Sequence, residues 1–154
     1  MGRMKEGELV RIWVKRARRG PMDARAEARL VPGSGIEGNA DRGGKRQVTL
    51  LDEARWGELL RALDAEVDPS ARRANLLLRG IPLAETRGQV LRIGACRLRV
   101  RGETRPCERM DEAHQGLRAA MATGWGGGVY AEVLDGGVIR VGDPAGWDDR
   151  ETEA

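Results

Sequence analysis

Apolar and polar positions alternate in ELVRIWVKR (8–16), where Val10, Ile12 and Val14 fall on one face and Arg11, Trp13 and Lys15 on the other. A period of two predicts a half-buried strand. Residues 1–7 carry no such pattern and are expected to fray. After the Gly20-Pro21 turn, residues 24–31 alternate through Ala24, Ala26, Ala28 and Leu30. That predicts a strand, although small residues also suit a helix. PGSGIEGNADRGG (32–44) has room for no element of ordinary length, and long loops of this kind are functional or disordered. RQVTLL (46–51) reads as a strand. Asp52 then caps a predicted helix running to about Val67, with Trp56, Leu59, Leu60 and Leu63 as one apolar stripe and Pro69 beyond its end. Residues 75–79 predict a short strand closed by Gly80.

The β pattern strengthens from residue 88. GQVLRI (88–93) and CRLRVR (96–101) meet across Gly94-Ala95, a hairpin signature. In the second of these strands Cys96, Leu98 and Val100 face one way and Arg97, Arg99 and Arg101 the other. A second helix is predicted over 111–122, carrying Leu117, Ala120 and Met121, and GWGGG (124–128) breaks it. Strands 128–134 and 138–143, joined by Asp135-Gly136-Gly137, are predicted to form a last hairpin. Residues 144–154 read as an acidic, disordered tail. There is no internal repeat and no linker. The helices do not alternate with the strands, which argues against a parallel α/β sheet. The expectation is one mainly β domain over 8–143, a small β-barrel with two short inserted α-helices.

Composition sharpens this picture. The 154 residues contain no Phe, one Tyr and four Trp, so the core must be aliphatic. Glycine, at 22 residues, is about twice its usual share and implies many tight turns. The net charge of +3 is uneven: 144–154 holds one Arg against four acids, so the body is the more basic part and suited to phosphate-bearing partners. Two cysteines are too few for a disulfide-framed secreted fold. No apolar run approaches the roughly 20 residues of a membrane span, and MGRMKEGELV has no leader-like apolar stretch. A cytoplasmic protein with reduced thiols, not bound to a membrane, is expected.

Cys107 is the first candidate for chemistry. It sits on a loop in ETRPCER (103–109), with Arg105 and Arg109 two residues to either side. Cationic neighbours favour the thiolate, which is both nucleophile and ligand for soft metals. From the residues alone, Cys107 stays open between a functional thiol and an ordinary one. Cys96, in step with Leu98 and Val100, reads as a buried structural thiol. Zinc is set aside: Cys96, Cys107 and His114 lack the close spacing of structural zinc sites. His114 is the only histidine, and no Ser–His–Asp set is evident. The 33–44 loop matches neither a phosphate loop nor a dinucleotide fingerprint, though successive glycines can present N–H groups to an anion. Arg72, Arg73 and Asn75 stand at the mouth of a strand, open between an anion site and a solvated basic turn.

The order of these pieces resembles the molybdenum-cofactor sulfurase C-terminal (MOSC) family over about residues 24–143. The telling segments are Arg46-Gln47-Val48-Thr49, Arg73 with Asn75, Pro106-Cys107, Gly128-Val129-Tyr130 and Gly142-Asp143. The resemblance implies a compact β-barrel that binds the molybdenum cofactor (molybdopterin) or handles its sulfur. It implies that Cys107 ligates molybdenum or carries a persulfide. It also implies that Arg73 and Asn75 hold the pterin phosphate, with Arg46 and Arg105 as weaker candidates for the same anion.

Some relatives reduce N-hydroxylated compounds. An oxidoreductase of this size would need an external electron donor, because no flavin, haem or iron–sulfur motif is present. A sulfur carrier without turnover would need a donor such as a cysteine desulfurase. Pyridoxal phosphate is associated with the family through fused sulfurases. It is not expected here, where there is no room for that enzyme domain and no candidate Schiff-base Lys. One departure stands out. The family commonly reads Gly-Asp-x-His where this chain has Gly38-Asn39-Ala40-Asp41. A third class, a basic barrel binding nucleic acid, is disfavoured by the scarcity of aromatic stacking platforms.

Overall fold

In a computed structural model describing residues 7–148, alternation and its absence sort the strands by what covers them. Eleven strands form: β1 (Gly7–Lys15), β2 (Met22–Arg25), β3 (Glu27–Val31), β4 (Gly35–Ile36), β5 (Val48–Asp52), β6 (Leu76–Arg79), β7 (Val90–Ile93), β8 (Cys96–Glu103), β9 (Val129–Asp135), β10 (Gly137–Arg140) and β11 (Pro144–Trp147). Three helices accompany them: α1 (Glu53–Leu63), α2 (Arg109–Ala113) and α3 (Leu117–Met121), with a 3-10 turn at Pro69–Arg72. Hydrogen bonding runs in the order β11-β7-β8-β9-β5-β6-β1, and β1 pairs back onto β11, which closes a seven-stranded barrel. Closure leaves no edge among these strands for another chain to pair with. β2 branches from β1, and β10, β3 and β4 form a small separate sheet.

β8 alternates cleanly between buried and half-exposed residues because only its inner face is covered. β6 at Leu76–Leu78 and β5 at Leu50–Leu51 read instead as continuous apolar runs because both faces are covered there. Leu50, Leu76 and Leu78 point into the barrel with Leu91, Leu98, Val100 and Val129. Leu51 and Leu77 point outward into a second cluster with Trp56, Leu59, Met110, Leu117 and Met121. β5 and β6 are parallel, so the chain must cross over between them, and α1 is that crossover. Asp52 caps α1 as its sequence implies, accepting from the N–H of Ala54 and Arg55.

Several expectations need correction. β1 carries a bulge between Leu9 and Arg11, which shifts the alternation. Leu9, Ile12 and Val14 therefore fill the barrel, while Val10 packs with Trp13 on the outer cluster. Residues 24–31 are not one strand, because Ala26 separates β2 from β3. α1 stops at Leu63, where Asp64 adopts a left-handed φ of 52°, rather than continuing to Val67. The predicted 111–122 helix is two short ones, broken at His114–Gly116 by Gly116 with φ 90°. β10 does not pair with β9 in a hairpin; it leaves the barrel and pairs with β3. Residues 144–147, assigned to the tail from sequence, form β11, the strand that closes the barrel against β1 and β7. Residues 1–6 and 149–154, with the frayed start and the rest of the tail expected there, lie outside the described residues.

Candidate functional site

The barrel strands themselves carry little free chemistry, so the polar side chains that matter gather on the connections. Lys15 ends β1, Thr49 lies on β5, Arg72 and Arg73 close the 3-10 turn, and Asn75 precedes β6. Thr104 and Cys107 follow β8, and Gly127 precedes β9. They line two adjoining hollows. The larger, about 480 Å³, is bounded by Lys15, Arg18, Asn39, Asp41, Arg42, Arg46, Gln47, Thr49, Arg73 and Asn75. The smaller, about 170 Å³, holds Cys107 with Arg72, Arg109, Met110, Thr104 and Gly127. Lys15, Arg46, Thr49 and Arg73 border both, so the two form one cleft. Its volume falls in the range of small-molecule sites.

The cleft is strongly cationic. Five Lys or Arg side chains border the larger hollow and Arg72 and Arg109 add to them, against one carboxylate, Asp41. Arg72 is 8% exposed. Its Nε donates to the Gly127 carbonyl at 2.9 Å, and its Nη2 donates to the Thr104 and Arg105 carbonyls at 3.4 Å each. Burial brings its pKa down to about 10; a negative Cys107 sulfur favours the charge and Arg46 opposes it. This buried guanidinium is held by carbonyls and has no carboxylate partner among the described residues. Arg73 is also below its ordinary value, through burial first and then through Arg109. It sits at a left-handed φ of 63°, a costly conformation for a non-glycine residue, and donates Nη2 to the Gly20 carbonyl at 2.7 Å. Gly127 is obligatory: a Cβ there would stand 2.1 Å from the Thr104 carbonyl oxygen and 3.2 Å from Arg72 Nη2.

Asn75 borders the cleft, yet its amide is spent within the protein. Its Oδ1 accepts from the Thr49 N–H at 3.1 Å and the Thr49 hydroxyl at 3.2 Å. Its Nδ2 donates to the Trp13 carbonyl at 3.1 Å and to Asn39 Oδ1 at 3.2 Å. Asn75 thus ties β1, β5, β6 and the glycine-rich loop together. Asn39, also buried, accepts from the Lys15 N–H at 2.8 Å and donates to the Asp41 carbonyl at 2.9 Å. Asp41 pairs with Lys15 and, at 3.5 Å, with Arg18. The Lys15 ammonium holds its carboxyl below the usual carboxylate range.

Of the residues singled out from sequence, Arg46, Arg73, Asn75 and Cys107 come together here. Arg105 does not; it borders a separate hollow with Pro106, Asp111 and Arg118. Cys107 is exposed and Cys96 buried. Lys15, Thr104 and Gly127 were not singled out in the sequence, since each reads as an ordinary strand or turn residue; Thr49 entered only as the last residue of the Arg46-Gln47-Val48-Thr49 segment. Among the described residues no three His, Cys, Asp or Glu side chains gather as a metal cage. His114 caps the end of α2, its Nδ1 2.9 Å from the Gln115 carbonyl oxygen. No helix of the described residues is long and apolar enough to cross a membrane.

The MOSC domain profile matches residues 37–145. Among solved structures, YUAD from Bacillus subtilis superposes with a TM-score of 0.77 at 18% identity, covering 94% of this chain and 97% of that one. YiiM from Geobacillus stearothermophilus gives 0.74 at 19%, over 94% and 76%. YiiM from Escherichia coli gives 0.68 at 16%, over 92% and 69%. At such identities the likeness establishes the fold alone. No curated protein matches the sequence.

Proposed function

The chain belongs to the MOSC domain family, and on that premise we propose that its cleft holds the molybdenum cofactor, with Cys107 as the protein's ligand to the metal. One observation carries this reading: an exposed thiol and an excess of arginines share a single cleft of ligand size. The residues fit the group. A phosphate dianion suits Arg46, Arg73 and Arg109, and a thiolate suits a soft metal. Arg72, buried and without a carboxylate partner among the described residues, gains from an anion brought beside it. When bound, the metal centre supplies the oxidation–reduction chemistry, while the protein supplies ligand, orientation and field.

Asn75 and Asn39 act on the ligand only through the loops and strands they fix, so their role is positioning. Reduction of N-hydroxylated compounds, with electrons from an external donor, is the activity we would assay. The test of binding is metal and pterin analysis of protein made in a host that synthesises the cofactor, beside Cys107→Ala. Molybdenum and pterin near one per chain, with the metal lost from the variant, is the expected result. Neither metal nor pterin in the parent would refute it.

The exposure of Cys107 favours a second reading, in which it takes a persulfide sulfur from a donor such as a cysteine desulfurase and holds it for a partner protein. Cyanide-labile sulfur on Cys107 in protein free of molybdenum would select that reading.

A further inference from the structure

We propose that Asp41 is an affinity- and specificity-determining residue of the cleft: a built-in counter-anion that occupies Lys15 and Arg18 and competes for them with the oxyanion of the ligand. The inference rests on the reading of the cleft as the site of a phosphate-bearing ligand, and it concerns a position where this chain departs from the family pattern.

Asp41 is the sole carboxylate among the residues bordering the two joined hollows. It is not a wandering surface acid. The Lys15 N–H donates to Asn39 Oδ1 at 2.8 Å, the Ala40 N–H donates to the Lys15 carbonyl at 2.7 Å, and Asn39 Nδ2 donates to the Asp41 carbonyl at 2.9 Å. Asn39 is 4% exposed and is itself held by Asn75. Both backbone groups of Lys15 are therefore fastened to the segment that carries Asp41. The two side chains leave from neighbouring, fixed backbone points, so only rotamer freedom is given up when their ion pair forms. It differs in this from an exposed pair between two free side chains.

The cleft's charge is thus divided. Lys15 and Arg18 are answered by Asp41, while Arg46 and Arg109 have no carboxylate partner among the described residues. An incoming oxyanion is drawn toward Arg46, Arg73 and Arg109, the end that holds Cys107. At the Asp41 end, lined also by Arg18 and Asn39, it meets a fixed negative charge. The cleft accordingly takes one oxyanion and rejects a second at that end.

The test is calorimetric titration of sulfate, whose charge is constant over the working pH range, into the full chain in low-salt buffer. Parent, Asp41→Asn, Asp41→Ala, Lys15→Met and the Asp41→Asn/Lys15→Met pair are compared. Removing Asp41 should tighten sulfate binding roughly fivefold, the scale set by one partly exposed charge pair. Lys15→Met should weaken binding in the parent, because it leaves the Asp41 charge less fully answered, and the Asp41→Asn/Lys15→Met pair should bring binding back toward the parent's. Unchanged or weaker binding in both Asp41 variants overturns the proposal, and so does failure of every form to bind. Should the variants not fold, 13C NMR of the parent decides: the Asp41 carboxyl resonance should move with sulfate saturation, and a stationary one refutes. Sulfate needs no cofactor, so protein that shows the Asp41 effect yet takes up no molybdenum or pterin would sink the cofactor reading and leave this one standing.

Discussion

Asn75 decides between two roles that make opposite predictions. If its amide holds a ligand, replacing it weakens binding and leaves the fold alone. If it holds the fold, replacing it costs stability with no ligand present. The structure favours the second, because all four hydrogen-bonding positions of the side chain are filled from within: Thr49 N–H and hydroxyl on Oδ1, the Trp13 carbonyl and Asn39 Oδ1 on Nδ2. The residue is 5% exposed. At about 1 kcal/mol net per hydrogen bond, Asn75→Ala loses about 4 kcal/mol. Asn39 Oδ1 keeps the Lys15 N–H and Thr49 Oγ1 keeps the Asn75 N–H, but the Thr49 N–H loses the Oδ1 acceptor, so the expected cost stays at about 4 kcal/mol. That is a large share of a typical domain's stability.

Asn75→Asp should cost at least as much at neutral pH. It removes both donors and sets a buried carboxylate against two oxygens. Those neighbours raise its folded pKa above the unfolded value of about 3.9. Its stability is therefore fully present below about pH 4 and is lost as pH rises through the folded pKa, so the deficit relative to the parent should shrink in acid. Urea unfolding followed by tryptophan fluorescence measures both variants, with Trp13 as a neighbouring reporter. The exposed Arg46→Gln serves as a control and should stay within about 0.5 kcal/mol of the parent. A cost below about 1 kcal/mol for Asn75→Ala, or a pH-independent deficit for Asn75→Asp, would refute the positioning role.

Gly127→Ala drives a Cβ to 2.1 Å from the Thr104 carbonyl oxygen and must move the segment that anchors Arg72. A loss of about 2 kcal/mol or more is expected in thermal unfolding, and a variant as stable as the parent would mean this junction is loose. The two thiols should also separate: Cys107 is exposed, whereas Cys96 is buried and burial pushes its thiol pKa up. A disulfide exchange reagent at mildly alkaline pH should titrate one thiol rapidly in the native chain and the second only on unfolding. Two fast thiols, or none, would contradict the described placement.

How much could be read in advance depended on whether a residue's role was local. The β8 alternation, the Asp52 cap and the Gly94-Ala95 turn depend on residues a few positions apart, and each was legible. The partner of β10 was not. Pairing β10 with β9 by proximity is the default for antiparallel strands, and only the preference of β9 for β5 and β8 sends β10 to β3. The bulge in β1 likewise has no local sign. It is fixed by the register against β6, nearly 70 residues away in sequence.

The site divides along the same line. The pattern of residues by itself determined that this is a mainly β chain of the MOSC type, and it singled out Cys107, Arg73 and Asn75, which the fold brings to one cleft. Motif order and turn chemistry are properties of the chain. Only the tertiary structure decided what each residue does there. It bonded the Asn75 amide within the protein, moved Arg105 to another hollow, and brought in Lys15 and Thr104. It also set Asp41 against Lys15, and placed Arg72 with Cys107 on the lining of the smaller hollow. The reason is physical. Burial and charge pairing depend on which groups lie within a few ångströms, and barrel closure chooses those groups from strands and loops far apart in sequence.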